Sequence, residues 1–390
     1  MSMVNTINLA KNWLLNSGIQ NTSINNKTNG GFNSWFDIKS KEYPFIYSEI
    51  TGYGISTLLY LNKIYREKKL VERAELAARW LINFSLHESG GVRTRYYFDN
   101  KIQKEYFFKN GFLYTFDSGM VLYGLVNLFK QTKKQIYLKV AEKMADFLIR
   151  CQKKDGTFYA AYDFKNDEFI DTQDKWSTQS GSFHSKLSLG LLDIFSIIKD
   201  NSYKRSAEKI CEAVLKFQDK SGRFVSFKKF PETHLHPHCY SAEGLLYAGI
   251  KLNKKKFIKS AANACEWTLN NQLKNGGVPC MFLNNLFIPY ERSDILAQTL
   301  RLGAILFHLG ELRGSLISNK LDKLENRLVT FQNLDNVVKK QKGGFFYGWD
   351  ENGNRLNHLN SWCTMFAIQA IIIHKIISKE NKEIPIAPFV

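Results

Sequence analysis

Proline is scarce in this chain, with seven in 390 residues, and no low-complexity linker interrupts it. A string of independent domains is therefore disfavoured, and one domain or repeat array spanning 1–390 is expected. Long apolar runs are missing too. The longest, Met365 to Ile373, is broken by Gln369, and a membrane-spanning helix needs ~18 apolar residues. The opening MSMVNTINLAKNWLL has no basic stretch followed by an apolar one, so no secretory leader is expected. Cysteine is limited to Cys151, Cys211, Cys239, Cys265, Cys280 and Cys363, with no CxxC pair. Most fall inside amphipathic patterns, as small buried hydrophobes in a reducing compartment do, and a cytoplasmic location is expected. Acidic residues are the minority, 36 against 54 Lys and Arg. The resulting charge of +18 points to an anionic partner: nucleic acid, a membrane surface or an acidic glycan.

Hydrophobic residues make up 44% and aromatics 14%, enough for a large core. A glycine-aromatic signal recurs after amphipathic stretches, at Gly156-Thr157-Phe158, Gly222-Arg223-Phe224 and Gly276-Gly277-Val278. Looser copies stand at Gly30-Gly31-Phe32, Gly90-Gly91-Val92 and Gly343-Gly344-Phe345. Six copies, about 50–70 residues apart, mark a repeat architecture. Before each copy lies a helix pattern with one wet face, as in Tyr137 to Arg150, where Ala141, Met144, Ala145 and Leu148 recur at helical spacing. After it comes a helix apolar nearly all round, as in Ser118 to Phe129 or Ser361 to Ile377, which belongs inside. The fold expected is all-α: an (α/α)6 toroid of six inner and six outer helices, closed so that no terminal repeat needs a cap.

The two kinds of connection differ. Inner-to-outer turns are short and basic, as in Lys251 to Lys256 with its four lysines. Outer-to-inner loops are long and carry glycines and aromatics, so one face of the ring gathers all long loops together with the inner-helix N-termini. Binding residues concentrate on such loops. The inner helices open on Tyr47-Ser48-Glu49, Phe116-Asp117-Ser118, Ser182-Phe183-His184, His234-Leu235-His236-Pro237-His238, Arg292-Ser293-Asp294 and Asn360-Ser361-Trp362. Asp117, Ser118, Ser293 and Ser361 are ordinary helix N-cap types. Histidines and aromatics beside them, Tyr53, Tyr240 and Trp362 among them, are what sugar rings need for stacking and hydrogen bonding. A metal bound by His234, His236 and His238 requires that segment to be extended. Pro237 breaks the run and no acidic or cysteine ligand is suitably spaced, so neither a metal nor any other cofactor is expected.

On these segments the chain resembles the six-hairpin (α/α)6 toroid superfamily of glycosidases, lyases and epimerases. More closely, it is similar to VpsJ-like proteins encoded with exopolysaccharide biosynthesis genes. Tyr47 to Tyr53 resembles that branch's Tyr-Pro-Glu-Val-Thr-Gly-Tyr motif, with Ser48 in place of proline, and Phe116 to Gly119 resembles its Phe-Asp-Thr-Gly motif. The His-rich start of the fourth inner helix, His236 to Leu246, is similar as well. The resemblance covers essentially the whole chain and implies a polysaccharide or oligosaccharide substrate. Gln152 and Gln218 with their glycines also match the Gln-x-x-x-Gly-x-aromatic repeats of triterpene cyclases, but the Asp-x-Asp-Asp cluster of a protonating cyclase is absent.

Three functions fit. Cleavage of a glycosidic bond in an acidic polysaccharide needs two carboxyl groups, for which Glu49 and Asp117 are the natural pair and Asp294 the reserve. A separation of ~6.5–9.5 Å would give inversion. Uronate C5 epimerisation or β-elimination needs a Tyr or His base and cations. Tyr47, Tyr53, Tyr240, His184, His236, His238 and Arg292 supply those types, with Asn360 and Trp362 as further substrate contacts. A glycan-binding component of an exopolysaccharide assembly complex would use the same mouth without turnover. Nucleic acid is disfavoured for want of a basic helix interleaved with aromatics. The lysine-rich turns read as a solvated edge or as a peripheral contact with anionic lipid.

Overall fold

A computed structural model describes residues 3–24, 27–105, 111–172, 175–226, 232–335, 340–350 and 352–380. In chain order the first helices are α1 Met3–Asn16, α2 Ser48–Tyr65, α3 Lys68–Trp80, the short α4 Asn100–Glu105, α5 Thr115–Thr132, α6 Gln135–Arg150 and α7 Ser188–Ile198. They continue as α8 Asn201–Val214, α9 Leu235–Leu252, α10 Lys255–Asn270, α11 Ser293–His308, α12 Ser315–Val329 and α13 Ser361–Glu380. Helices α2, α5, α7, α9, α11 and α13 form the inner layer, and each packs on the next until α13 returns to α2. The outer layer is α1, α3, α6, α8, α10 and α12, each paired with the inner helix before it, with α1 against α13. The chain is thus the all-α (α/α)6 toroid.

Patterning explains the layers. In α6, Val140, Ala141, Met144, Ala145 and Leu148 are buried while Glu142, Lys143 and Asp146 stay exposed, a one-faced helix. In α5 every residue from Thr115 to Val126 is buried, because inner helices have neighbours on all sides. The glycine-aromatic loops lock one hairpin to the next. Gly30, Gly90, Gly156, Gly222, Gly276 and Gly343 all have φ between +89° and +106°, where glycine is strain-free. A Cβ at any of them would meet a carbonyl oxygen of the following outer helix, at 2.1–2.8 Å. The glutamine beside the loop adds a staple. Gln152 Nε2 donates to Gly156 O (3.0 Å) and to Ser206 O of α8 (2.9 Å). Gln20, Gln218 and Gln272 do the same towards α3, α10 and α12. The match to cyclase repeats is therefore a hairpin lock.

The long loops hold four small antiparallel sheets, a feature that helical periodicity did not signal. One strand of each feeds directly into an inner helix. Phe45–Tyr47 runs into α2 and pairs with Arg95–Tyr97, while Phe112–Tyr114 runs into α5 and pairs with Ala161–Asp163. On the opposite face, lysines cross-link outer helices: Lys134 Nζ to Glu75 at 2.5 Å, Lys254 to Glu208 at 2.7 Å and Lys256 to Glu212 at 2.6 Å. Part of the lysine excess is thus spent on hairpin-to-hairpin ion pairs, each contributing little in water. Among the described residues no helix is long and apolar enough to cross a membrane.

Candidate active site

A cavity of about 270 Å³ opens at the centre of the loop face, among the inner-helix N-termini. Its wall carries two carboxyl groups, Glu49 and Asp117, and three cationic side chains, Arg95, Lys175 and Arg292. Rings complete it, including Tyr47, Tyr114, Trp176, Tyr240, Tyr347 and Trp362. The strand-to-helix junctions place the carboxyls: Glu49 lies in the first turn of α2 and Asp117 in the first turn of α5. Ser48, where the similar motif has proline, donates its N–H to Thr94 O at 2.9 Å, a bond proline cannot make.

Glu49 and Asp117 are in hydrogen-bond contact with each other. Two ionised carboxylates in contact have no hydrogen to share, and Asp117 Oδ2 is buried with no donor among the described residues. One proton between them satisfies both, as in other close carboxyl pairs. Burial, then the Glu49 charge, pushes the Asp117 carboxyl well above the usual carboxylate range. Burial raises Glu49 as well, but hydrogen bonds from Tyr53 and Tyr47 and the charge of Lys186 oppose the rise. Burial thus favours the protonated form at both carboxyls, more strongly at Asp117.

Asp294 is a different kind of carboxylate. Arg292 Nη2 lies 2.5 Å from its Oδ2, Trp362 Nε1 donates to the same oxygen at 3.1 Å, and the Ile295 N–H donates to Oδ1 at 2.8 Å. Despite burial, the Arg292 charge and then His236 hold Asp294 below the usual carboxylate range. It is fully buried behind the wall, where it orients Arg292 and Trp362 towards the cavity.

His236 lines the cavity from α9, across the ring from α2. Gln298 Nε2 donates to Glu243 Oε2 (3.4 Å), which turns Gln298 Oε1 towards His236 Nδ1 at 2.7 Å. Nδ1 therefore carries the hydrogen, and Nε2 is the acceptor. Burial lowers the imidazole to about 4, so it is neutral near pH 7.

The cavity brings together Tyr47, Glu49, Asp117, His236, Tyr240, Arg292 and Trp362 from the sequence candidates, whereas Tyr53, His184, His238, Asn360 and Asp294 are not on its wall. Tyr53 lies just beneath, its hydroxyl 3.0 Å from that of Tyr240. His184 packs among Phe116, Phe158 and Phe183, and its Nδ1 accepts from Gly181 N at 3.4 Å. His238 Nδ1 accepts the Phe224 N–H at 3.1 Å while Nε2 faces Ala264 O. Thr51, Ser118 and Thr364 do the same for Phe32, Val92 and Phe345, so His238 is a loop anchor. Asn360 Oδ1 accepts from Cys363 N and caps α13. The metal geometry considered for His234 to His238 is corrected: α9 starts at Leu235, so the three rings do not project from one extended face. Among the described residues no cluster of ligands suited to a metal is found.

Sequence reasoning missed Arg95, Lys175, Trp176 and Tyr347, which reach the cavity from loops. Only the pairing of Arg95–Tyr97 with Phe45–Tyr47 brings Arg95 beside Tyr47, and no periodicity encodes that pairing.

The fold and the cavity define the class of molecule: an (α/α)6 toroid with a polar, ring-lined cavity at the inner-helix N-termini. No protein-family profile matches the chain, and no curated protein matches it by sequence. Among solved structures it is similar to a cellobiose 2-epimerase from Bacillus thermoamylovorans, with TM-score 0.74, 12% identity and coverage of 95% of this chain and 100% of that one. A D-mannose isomerase matches with TM-score 0.73 and 11% identity over 95% of this chain and 98% of its own. An unsaturated glucuronyl hydrolase specific for heparin matches with TM-score 0.66 and 13% identity over 97% and 98%. At such identities the likeness is one of fold.

Proposed function

We propose that this chain is a carbohydrate-active enzyme that cleaves a glycosidic bond beside an acidic sugar in a polysaccharide or oligosaccharide. The observation that carries this reading is that the Glu49 and Asp117 carboxyls stand together on the wall of a small, aromatic, cation-flanked cavity, both raised by burial. Asp117 donates its proton to the glycosidic oxygen as the carbon–oxygen bond breaks. The Glu49 carboxylate steadies the positive charge that develops on the sugar ring. A water adds to that carbon, and His236 Nε2, on the facing wall, takes its proton. Arg95, Arg292 and Lys175 bind the sugar's carboxylate, and the rings stack on its C–H faces. Supporting the substrate class are the sugar-processing enzymes that share the fold and the resemblance of the Glu49 and Asp117 segments to VpsJ-like proteins. The latter supports a role in exopolysaccharide biosynthesis, and the cysteine usage supports a cytoplasmic one.

The test uses oligosaccharides released from the producing cell's own acidic exopolysaccharide, with mass spectrometry of the products. Each cleavage should add one water, and D117N should lose ~10²–10⁴-fold in rate, the usual worth of a general acid. Full activity in E49Q and D117N would overturn the assignment, and binding without turnover by the wild-type protein would favour a glycan-binding role. One feature favours a second reaction: the His236 imidazole, lowered by burial, and the Asp117 carboxyl, raised by burial, both line the cavity, and such groups can serve C–H proton exchange. Epimerisation or elimination of a uronate would then leave solvent deuterium at the sugar's C5 or a product without added water.

A further inference from the structure

The His236 imidazole stands at one end of a rung of buried polar groups between α9 and α11 that bond cleavage, as described, does not use. His236 and Glu243 are two helical turns apart on α9 and so face the same neighbour, α11. Asp294 and Gln298 are one turn apart on α11 and share its facing side, with Arg301 a turn further on. Gln298, Glu243 and Arg301 are fully buried. Glu243 is gripped at both oxygens: Lys186 Nζ lies 2.8 Å from Oε2, and Arg301 binds Oε1. Cations at both oxygens hold it as a carboxylate, which can only accept hydrogen bonds.

Gln298 bridges the two ends of the rung. Its Nε2 lies 3.4 Å from Glu243 Oε2, and its Oε1 lies 2.7 Å from His236 Nδ1. The reverse amide orientation would set a carbonyl oxygen against a carboxylate, two acceptors with no hydrogen between them. Glu243 therefore decides which end of Gln298 the imidazole meets. We infer that Gln298 is a positioning residue: oriented by Glu243, it fixes His236 as the Nδ1–H tautomer, so that the ring offers Nε2 to the cavity as an acceptor. Asp294 Oδ2 also lies near Nδ1, at 3.4 Å, but it is the more distant group and already receives Arg292 and Trp362. Rings hold the imidazole in place, Tyr240 at 4.4 Å between ring centres and Trp176 edge-on at 5.8 Å. An imidazole so fixed can take a proton from a water in the cavity. The other tautomer would put a hydrogen where the base needs a lone pair.

The inference rests on reading His236 as the base of bond cleavage, but its first test needs no turnover. In protein carrying isotopically labelled histidine, NMR correlation of ring protons with ring nitrogens reports which nitrogen bears hydrogen, and H236N identifies the His236 signals. Near neutral pH, where burial keeps the ring uncharged, His236 should show hydrogen at Nδ1 and none at Nε2. Q298L, of similar bulk but with neither donor nor acceptor, should move the hydrogen to Nε2, and D294N should leave it at Nδ1. In turnover of oligosaccharides from the native polymer, Q298L should lose ~10²–10⁴-fold in kcat with KM little changed, the worth of a base in its correct tautomer. Hydrogen at Nε2 in the wild-type protein, or a folded Q298L with the wild-type tautomer, would overturn the proposal. Should circular dichroism show Q298L unfolded, D294N decides alone: hydrogen still at Nδ1 upholds Gln298, and hydrogen at Nε2 rejects it in favour of Asp294. The expected tautomer without turnover would reject the cleavage reading and leave this one standing, whereas cleavage with hydrogen at Nε2 would do the reverse.

Discussion

Asp117 is held as an acid at a pH where water would ionise it, and that has a thermodynamic signature. Its folded pKa lies well above the ordinary 3.8, first through burial and then through Glu49. The unfolded chain releases this proton above about 4 while the folded chain keeps it. The associated stability is thus complete below 3.8 and is lost as pH rises towards the raised folded value. An asparagine cannot ionise. D117N should therefore melt progressively higher than the wild-type protein as pH increases from 4 to 8, at roughly 2 °C per kcal/mol for a chain of this size. A constant difference across that range in a thermal-melt series would refute the shared proton. The histidines act in the opposite sense. His236 and His238 are buried neutral, their imidazoles lowered by burial from 6.5 to about 4. Their stability is present above pH 6.5 and is lost as pH falls towards 4, so in D117N, which lacks the opposing Asp117 contribution, the melting temperature should decline over that window.

Among the elements, the glycine loops make the sharpest contrast. Gly343 has φ +102°, and a Cβ there would lie 2.2 Å from Leu9 O. Gly314 has φ +96° with nothing within 4 Å of the same position. Both replacements pay for a left-handed backbone, of order 1–3 kcal/mol, but only one also collides with a neighbouring helix. G343A should cost clearly more than G314A in chemical unfolding, and equal costs would mean that the loop is not wedged against α1. These loops also show what the sequence could reveal. The glycine signals and helix faces are local, so the layers and the first-turn positions of Glu49 and Asp117 were legible. His238 looked like a ligand because its real partner, the Phe224 N–H, belongs to a loop fourteen residues away. Pro237 looked like a break, yet the first turn of a helix tolerates proline, and it stands within that turn of α9. Lys186 and Arg301 passed as ordinary polar residues, since their partner Glu243 comes from a helix 57 and 58 positions away.

At the scale of the whole molecule, the question is whether the ring has a seam. The first and last hairpins meet through the same devices that join the others. Gln332 Nε2 donates to Gly343 O at 3.1 Å and to Thr6 O of α1 at 2.9 Å, as Gln218 does to Gly222 O and to Ser260 O of α10. Trp13 Nε1 donates to Lys340 O, and strand Trp35–Asp37 pairs with His358–Asn360. Removing either glutamine side chain strips the loop-glycine carbonyl of its donor and a helix carbonyl of its second one, worth about 1–3 kcal/mol. In an open helical array the terminal unit would fray and the change at its end would pass almost unnoticed. In a closed ring Q332A and Q218A should destabilise by similar amounts in denaturant titrations, each within a single cooperative transition. A silent Q332A beside a costly Q218A would place a seam between α1 and α12. The cavity depends on the answer: Glu49 sits on α2 and Trp362 on α13, so the two sides of its wall stay in register only if the first hairpin is fastened to the last.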